Sequence, residues 1–184
     1  QDDTTQMPTT QTINERYFTG PDSLASYWQD ASYGKTTLTG VNLGWNTLDA
    51  TISSTNACDQ TNEMRQQAID IAASQMDISQ FTRLFIVMRP FGIGCSIIGQ
   101  GSLTCPIVST TDGTQSARLS THWVLGNVIE NPQSGLDIVA HEAGHNLGLD
   151  HSERLLWAPD STGPILDNSG ATVLQQGDGY DPMG

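Results

Sequence analysis

The chain has 184 residues, of which 36% are hydrophobic and 15% charged, enough for one domain of ordinary size with a real core. Its formal net charge of −13, with Lys35 as the single lysine, repels phosphate backbones and argues against nucleic acid as a partner. No apolar run approaches the ~20 residues that a membrane span needs, and the longest candidate, Leu84 to Met88, is strand-sized.

The polar remainder is mostly Ser, Thr, Asn, Gln and Gly, a neutral-polar surface that suits an extracellular protein. The chain opens at Gln1 without an initiator methionine, which fits either a trimmed chain or a mature one released from a signal or pro-segment. Residues 1–12 carry no periodic pattern and read as an extended or loose start. Ser23 to Tyr33 follows Pro21-Asp22 and places Leu24, Tyr27, Trp28 and Ala31 at helical spacing, with a stop near Gly34. Thr36 to Val41 alternates and is rich in β-branched residues, which predicts a strand. Over 60–80, Met64, Ala68, Ile71, Ala72 and Gln75 form one helical stripe, with Ile78 a turn beyond.

Arg83 to Arg89 is a buried-strand pattern ended by Pro90. Residues 91–106 read as a loop or hairpin, in which Cys95 and Cys105 could close a short disulfide loop. Cys58 is then left over, free or bonded to something outside these residues. Leu119 to Asn127 predicts another strand, and a further helix begins around Ser134 to Leu136. Residues 152–184, rich in Gly, Asp and Pro, predict an irregular lower part.

This order predicts an α/β (α+β) fold: a twisted, mostly parallel sheet packed on two long helices, with a small irregular C-terminal subdomain. The whole of 1–184 reads as one domain, with an upper part of about 13–151 and a lower part of about 152–184.

The chemistry is concentrated in His141-Glu142-Ala143-Gly144-His145-Asn146-Leu147-Gly148-Leu149-Asp150-His151. Leu136, Val139, Ala140, Ala143 and Leu147 form the apolar stripe of a helix. His141 and His145, four apart, project from one face, one turn above the other. Each can give a nitrogen to one ion at ~2.0–2.1 Å, the zinc–nitrogen distance. Glu142 points about 100° around the helix, off the metal but within reach of a water beside it, where a general base belongs. Gly148 tolerates positive φ, ends the helix and turns the chain so that His151 returns as a third ligand. Three protein ligands leave a fourth position open, as in catalytic rather than structural zinc sites. The fourth histidine, His122, sits beside Trp123 in a strand pattern and reads as a packed or surface residue.

The full H-E-x-x-H-x-x-G-x-x-H pattern resembles that of the metzincin metallopeptidases. The resemblance implies a secreted zinc endopeptidase and a methionine in a tight turn beneath the metal. Tyr180-Asp181-Pro182-Met183-Gly184 supplies that turn, with Met183 packing below the site. Ser152 after the third histidine is similar to matrixins, but matrixins place their methionine much closer to that histidine. Gly177 to Gly184, and Ser32-Tyr33-Gly34-Lys35-Thr36 followed by Thr39-Gly40, look more like the gametolysin group.

The chain departs from the metzincin pattern in stopping one residue after Met183. A C-terminal segment outside this chain, a cleaved partner segment or a short lower subdomain would each account for that. A tyrosine that in many relatives follows the methionine and assists the oxyanion has no counterpart, and Tyr180 is not assigned its role. No matrixin-type cysteine switch occurs, as expected if a pro-segment is removed.

By the same resemblance, Leu119 to Val124 would be the edge strand that pairs with an extended protein or peptide substrate. The Asp and Gly cluster over 160–181 is a candidate calcium site, although it has no D-x-D-x-D-G loop. Two rivals stand beside the endopeptidase: a zinc amidase acting on cell-wall peptides, and a zinc-binding non-catalytic adhesin or inactive paralogue. Glu142 weighs against the second, because a structural site has no use for a general base.

Overall fold

A computed structural model describes residues 7–49, 58–90, 97–132, 134–157, 171–176, 178 and 181–183. The loose start expected over 1–12 gives way to a helix, α1 (Thr10–Asn14), which widens into one π-helical stretch over Glu15–Thr19. Thr9 caps it by accepting from the Thr12 N–H, and the wider turn delivers Tyr17 into the core, 1% exposed. A run of Gln, Thr and Asn has no apolar period to announce such a helix.

The next helix, α2 (Leu24–Ala31), begins as expected, with Ser23 accepting from the Ser26 N–H. Thr36 to Val41, expected as a strand, has no regular secondary structure. A strand exists only with a ladder partner. Here Thr37 to Leu48 faces the Arg83–Met88 strand across a cavity of about 1490 Å³ and makes no ladder with it.

Helix α3 (Thr61–Gln75) buries Met64, Ile69 and Ala72, and a 3₁₀ turn over Ile78–Gln80 follows. Ile69, outside the expected stripe, is inside, and Gln75 is exposed.

Strands β1 (Arg83–Met88), β2 (Gly99–Gly101) and β5 (Ser120–Leu125) form one sheet in the order β1-β5-β2. β1 runs parallel to β5 and β2 antiparallel to it, so the sheet is mixed rather than mostly parallel. All six residues of β5 are buried, which follows from its central place. The expectation that this strand lies at the edge is therefore wrong: among the described residues the outer strands are β1 and β2, the latter from the stretch read as loop or hairpin.

Two further pairs were not anticipated. β3 (Ile107–Ser109) and β4 (Ser116–Arg118) make a hairpin, whose Asp112-Gly113 turn places Gly113 at φ 71°. Strands β6 (Glu153–Trp157) and β7 (Ala171–Gln175) pair antiparallel, so the lower part is not wholly irregular.

After β5 the chain enters a short helix, α4 (Gly126–Ile129), and then α5 (Gly135–Asn146). The class is α+β. The main core gathers Tyr17, Leu24, Val124, Ile129, Val139, Ala140 and Ala143, which packs α5 between the sheet and the N-terminal helices. No helix among the described residues is long and apolar enough to cross a membrane.

The expected Cys95–Cys105 bridge is not formed, since Cys105 is a free, exposed thiol. Cys58 is the disulfide-bonded cysteine among those described, and Cys95 lies outside the described residues.

Candidate metal centre

Val139, Ala140 and Ala143 face the core as their spacing predicts, whereas Leu147, at the end of that stripe, is exposed. Burying the apolar face turns His141 and His145 to the other side of α5, where their ring centroids lie 4.8 Å apart.

The helix then ends in a motif built on one glycine. Leu149 N–H donates to Gly144 O at 3.0 Å and Gly148 N–H to His145 O at 2.9 Å, with Gly148 at φ 86°. This left-handed C-terminal turn satisfies the last carbonyls and reverses the chain. It carries His151 back to ring-centroid distances of 5.1 Å from His141 and 4.8 Å from His145.

The ligand atoms of the three histidines all lie within 4.8 Å of one another. Seating one ion at ~2.0–2.1 Å from each nitrogen draws these atoms closer together. Two rings are already oriented for it. His141 Nδ1 lies 2.6 Å from Pro182 O, and His145 Nδ1 lies 2.8 Å from Leu149 O. A carbonyl accepts, so each Nδ1 carries the proton and each Nε2 keeps its lone pair for a metal. Burial also pushes His141 below its usual range, which favours the neutral, ligating form. His151 instead lies against Gln176, whose Nε2 is 2.9 Å from its Nε2 and 3.3 Å from its Nδ1. The donor set is therefore a three-imidazole set, which suits zinc.

Met183 is 4% exposed and packs where a side chain at Gly144 would otherwise stand. Its carbonyl accepts from Ser152 N–H at 2.8 Å, one residue past His151. Asp181 closes the turn by accepting from the Met183 N–H at 2.8 Å. The turn thus touches the ligand helix, His141 and the strand-ward exit from His151. Tyr180 lies outside the described residues, as does most of the 160–181 cluster read as a calcium site. Among the described residues the histidine triad is the one group able to hold a metal.

Glu142 is 6% exposed, on the flank of α5 that faces β2. Burial pushes its carboxyl up to about 7, opposed in part by the Gly101 N–H that it accepts. Gly99 and Gly101 make this approach possible. A Cβ at Gly99 would stand 2.6 Å from Glu142 Oε1, and one at Gly101 would stand 2.8 Å from His145 Cβ and against the Glu142 carbonyl. Spacing arguments missed these glycines, because a Gly-Gln-Gly stretch looks like a loop. Their lack of side chains was the available sign of a close backbone approach.

His122 is packed, as expected, and takes no part in the triad. It stacks on Phe85 at 4.3 Å between ring centroids, and its Nε2 lies 3.0 Å from the Tyr17 hydroxyl. Burial drives its pKa down to about 3 and raises that of the Tyr17 hydroxyl.

A family model described as Gametolysin peptidase M11 matches residues 5–168. The match includes His141, Glu142, His145 and His151 and stops short of Met183. No curated protein and no solved structure matches the chain.

Proposed function

The chain belongs to the gametolysin peptidase family, and from that membership we propose that it is a secreted zinc-dependent endopeptidase with Glu142 as its general base. One arrangement carries the reading: three histidines whose ligand atoms lie within 4.8 Å of one another, with Glu142, next in sequence to the first of them, buried against the outer strand β2. The reading takes residues 1–184 as one catalytic domain, with His141, His145 and His151 as ligands and Met183 as the packed floor. The neutral-polar composition supports secretion.

Zinc held by the three histidines would polarise the scissile carbonyl and lower the pKa of water to about 7. The chain's own residues do the rest. The carbonyls of Pro182 and Leu149 fix the tautomers of His141 and His145. Glu142 takes a proton from the attacking water and passes it to the departing amine. A carboxyl pushed up to about 7 can both accept and release a proton near neutrality.

The substrate side belongs to β2 rather than β5. Leu125 N–H donates to Ile98 O, and Ser102 N–H donates to Thr121 O. Alternation then turns the main-chain groups of Gly99 and Gly101 toward the open edge. Glu142 already holds the Gly101 N–H, which leaves Gly99 to pair with an extended peptide.

The test is a digestion profile on casein and on cell-wall peptide, before and after zinc is removed by a chelator and restored. The reading expects casein cleavage that vanishes with the metal and returns with it. Cleavage of cell-wall peptide alone would make the protein an amidase. Zinc binding without cleavage of either would make it a binding domain.

A further inference from the structure

Asn146 follows the second histidine at the last turn of α5, and its side chain points into the protein, 9% exposed. Its Nδ2 donates to Thr121 O at 3.0 Å and to Ser102 O at 3.1 Å. Thr121 lies in β5, and Ser102 directly follows the edge strand β2. One amide therefore joins three elements: the histidine helix, the central strand and the edge strand. Ser102 strengthens the joint, since its hydroxyl accepts from Thr121 N–H at 3.0 Å and its own N–H donates to Thr121 O at 2.9 Å.

Among the described residues β2 is three residues long, two of them glycine, and its ladder is with β5. Besides that ladder, the Gln100 side chain accepts from the Trp123 indole N–H at 3.3 Å, and Gly101 N–H donates to Glu142. The strand lies so close over Glu142 and His145 that neither glycine has room for a Cβ. A short strand with two glycines gains little from side-chain packing, so its depth over α5 depends on directional bonds.

We propose that Asn146 is a positioning residue: it pins β2 at the height over Glu142 at which the strand's open edge can receive a peptide substrate. The proposal rests on the peptidase reading for the identity of that substrate. Asn146 itself touches neither substrate nor metal. It acts through Ser102 on Gly101, and through Gly101 on the carboxylate of Glu142. An amide is required because the two nearest acceptors are main-chain carbonyls, with the Ser102 hydroxyl a third at 3.4 Å; a carboxylate would repel the carbonyls and a methyl would leave them unpaired.

The test uses the full chain with zinc and the variants Asn146→Ala and Asn146→Asp. Three readings are taken: KM and kcat on a peptide, zinc affinity by chelator competition, and hydrogen exchange of the Gln100 and Ser102 amides. In both variants KM should rise about tenfold, the size of one net hydrogen bond. The fall in kcat should stay within about threefold and zinc affinity should not change. Exchange at β2 should speed up at least about tenfold while the His122 and Val124 amides, which face β1, stay protected. Unchanged KM with unchanged β2 exchange would overturn the proposal. So would a zinc affinity that falls in step with kcat/KM, since Asn146 would then merely hold α5 together. If the wild type binds zinc and cleaves no peptide, the peptidase reading fails, and the exchange measurement still decides whether Asn146 pins β2.

Discussion

Gly144 and Met183 share one space: the sulfur of Met183 fills the position that a side chain on Gly144 would occupy. The contact joins the helix that carries two histidines to the turn whose Pro182 carbonyl orients His141. Gly144→Ala therefore has to push the turn away from the helix. Zinc affinity should fall about 10–100-fold, the usual cost of losing an outer hydrogen-bond partner of a ligand. Met183→Ala should lower stability by about 2–5 kcal/mol through the cavity it leaves. Chelator competition and denaturant unfolding check the two, and an unchanged zinc affinity in Gly144→Ala would contradict the coupling.

Gly148 makes a sharper case. At φ 86° nothing stands within 4 Å of a Cβ placed there, so any penalty for Gly148→Ala is conformational rather than steric. Holding alanine in a left-handed conformation costs about 1 kcal/mol. His151 is carried on that turn, so zinc affinity should fall with stability. Calorimetry and zinc titration on the same sample measure both.

His122 gives the acid dependence. Its pKa is about 3 in the folded chain because it is buried, against about 6.5 when unfolded. Between these values the unfolded chain binds more protons, so stability is full above about 6.5 and is lost as pH falls toward 3. In the metal-free protein, His122→Gln should be less stable at pH 7, because the Tyr17 hydroxyl loses its partner. It should also lose stability less steeply than wild type between pH 6 and 4. Parallel curves would contradict this assignment.

Zinc should bind the folded chain alone, because the third ligand is brought in only by the Gly148 turn. At 100 times its dissociation constant it would add about 2.7 kcal/mol. For a chain of this length that is roughly 5–10 °C in Tm. His151→Ala should abolish most of the rise, and scanning calorimetry with and without zinc reads it directly.

The histidine cluster was legible because its geometry is local. His141, Glu142, His145, Gly148 and His151 lie within eleven residues, so helix period and glycine conformation alone bring them together. Met183 was legible only through resemblance, since no spacing rule places it under Gly144. The sheet was much less legible. A strand's place depends on its partners, and the order β1-β5-β2 cannot be read from hydrophobic runs. The edge expected at Leu119 to Val124 rested on family resemblance, and nothing local in that stretch marks it as a central strand that buries even Thr121 and His122. β2 looked like a loop because its glycines serve contact with Glu142 rather than strand propensity. The Thr36 to Val41 pattern shows the reverse error: strand-like residues whose potential partner, β1, is not reached.

Wild type and Glu142→Gln, compared on casein with bound zinc measured in both, test Glu142 as the general base. Glutamine keeps the size of the side chain and removes its capacity to take a proton. If Glu142 is the general base, both proteins hold one zinc per chain and cleavage in the variant drops by at least about 100-fold. Equal cleavage at equal zinc content would contradict the account.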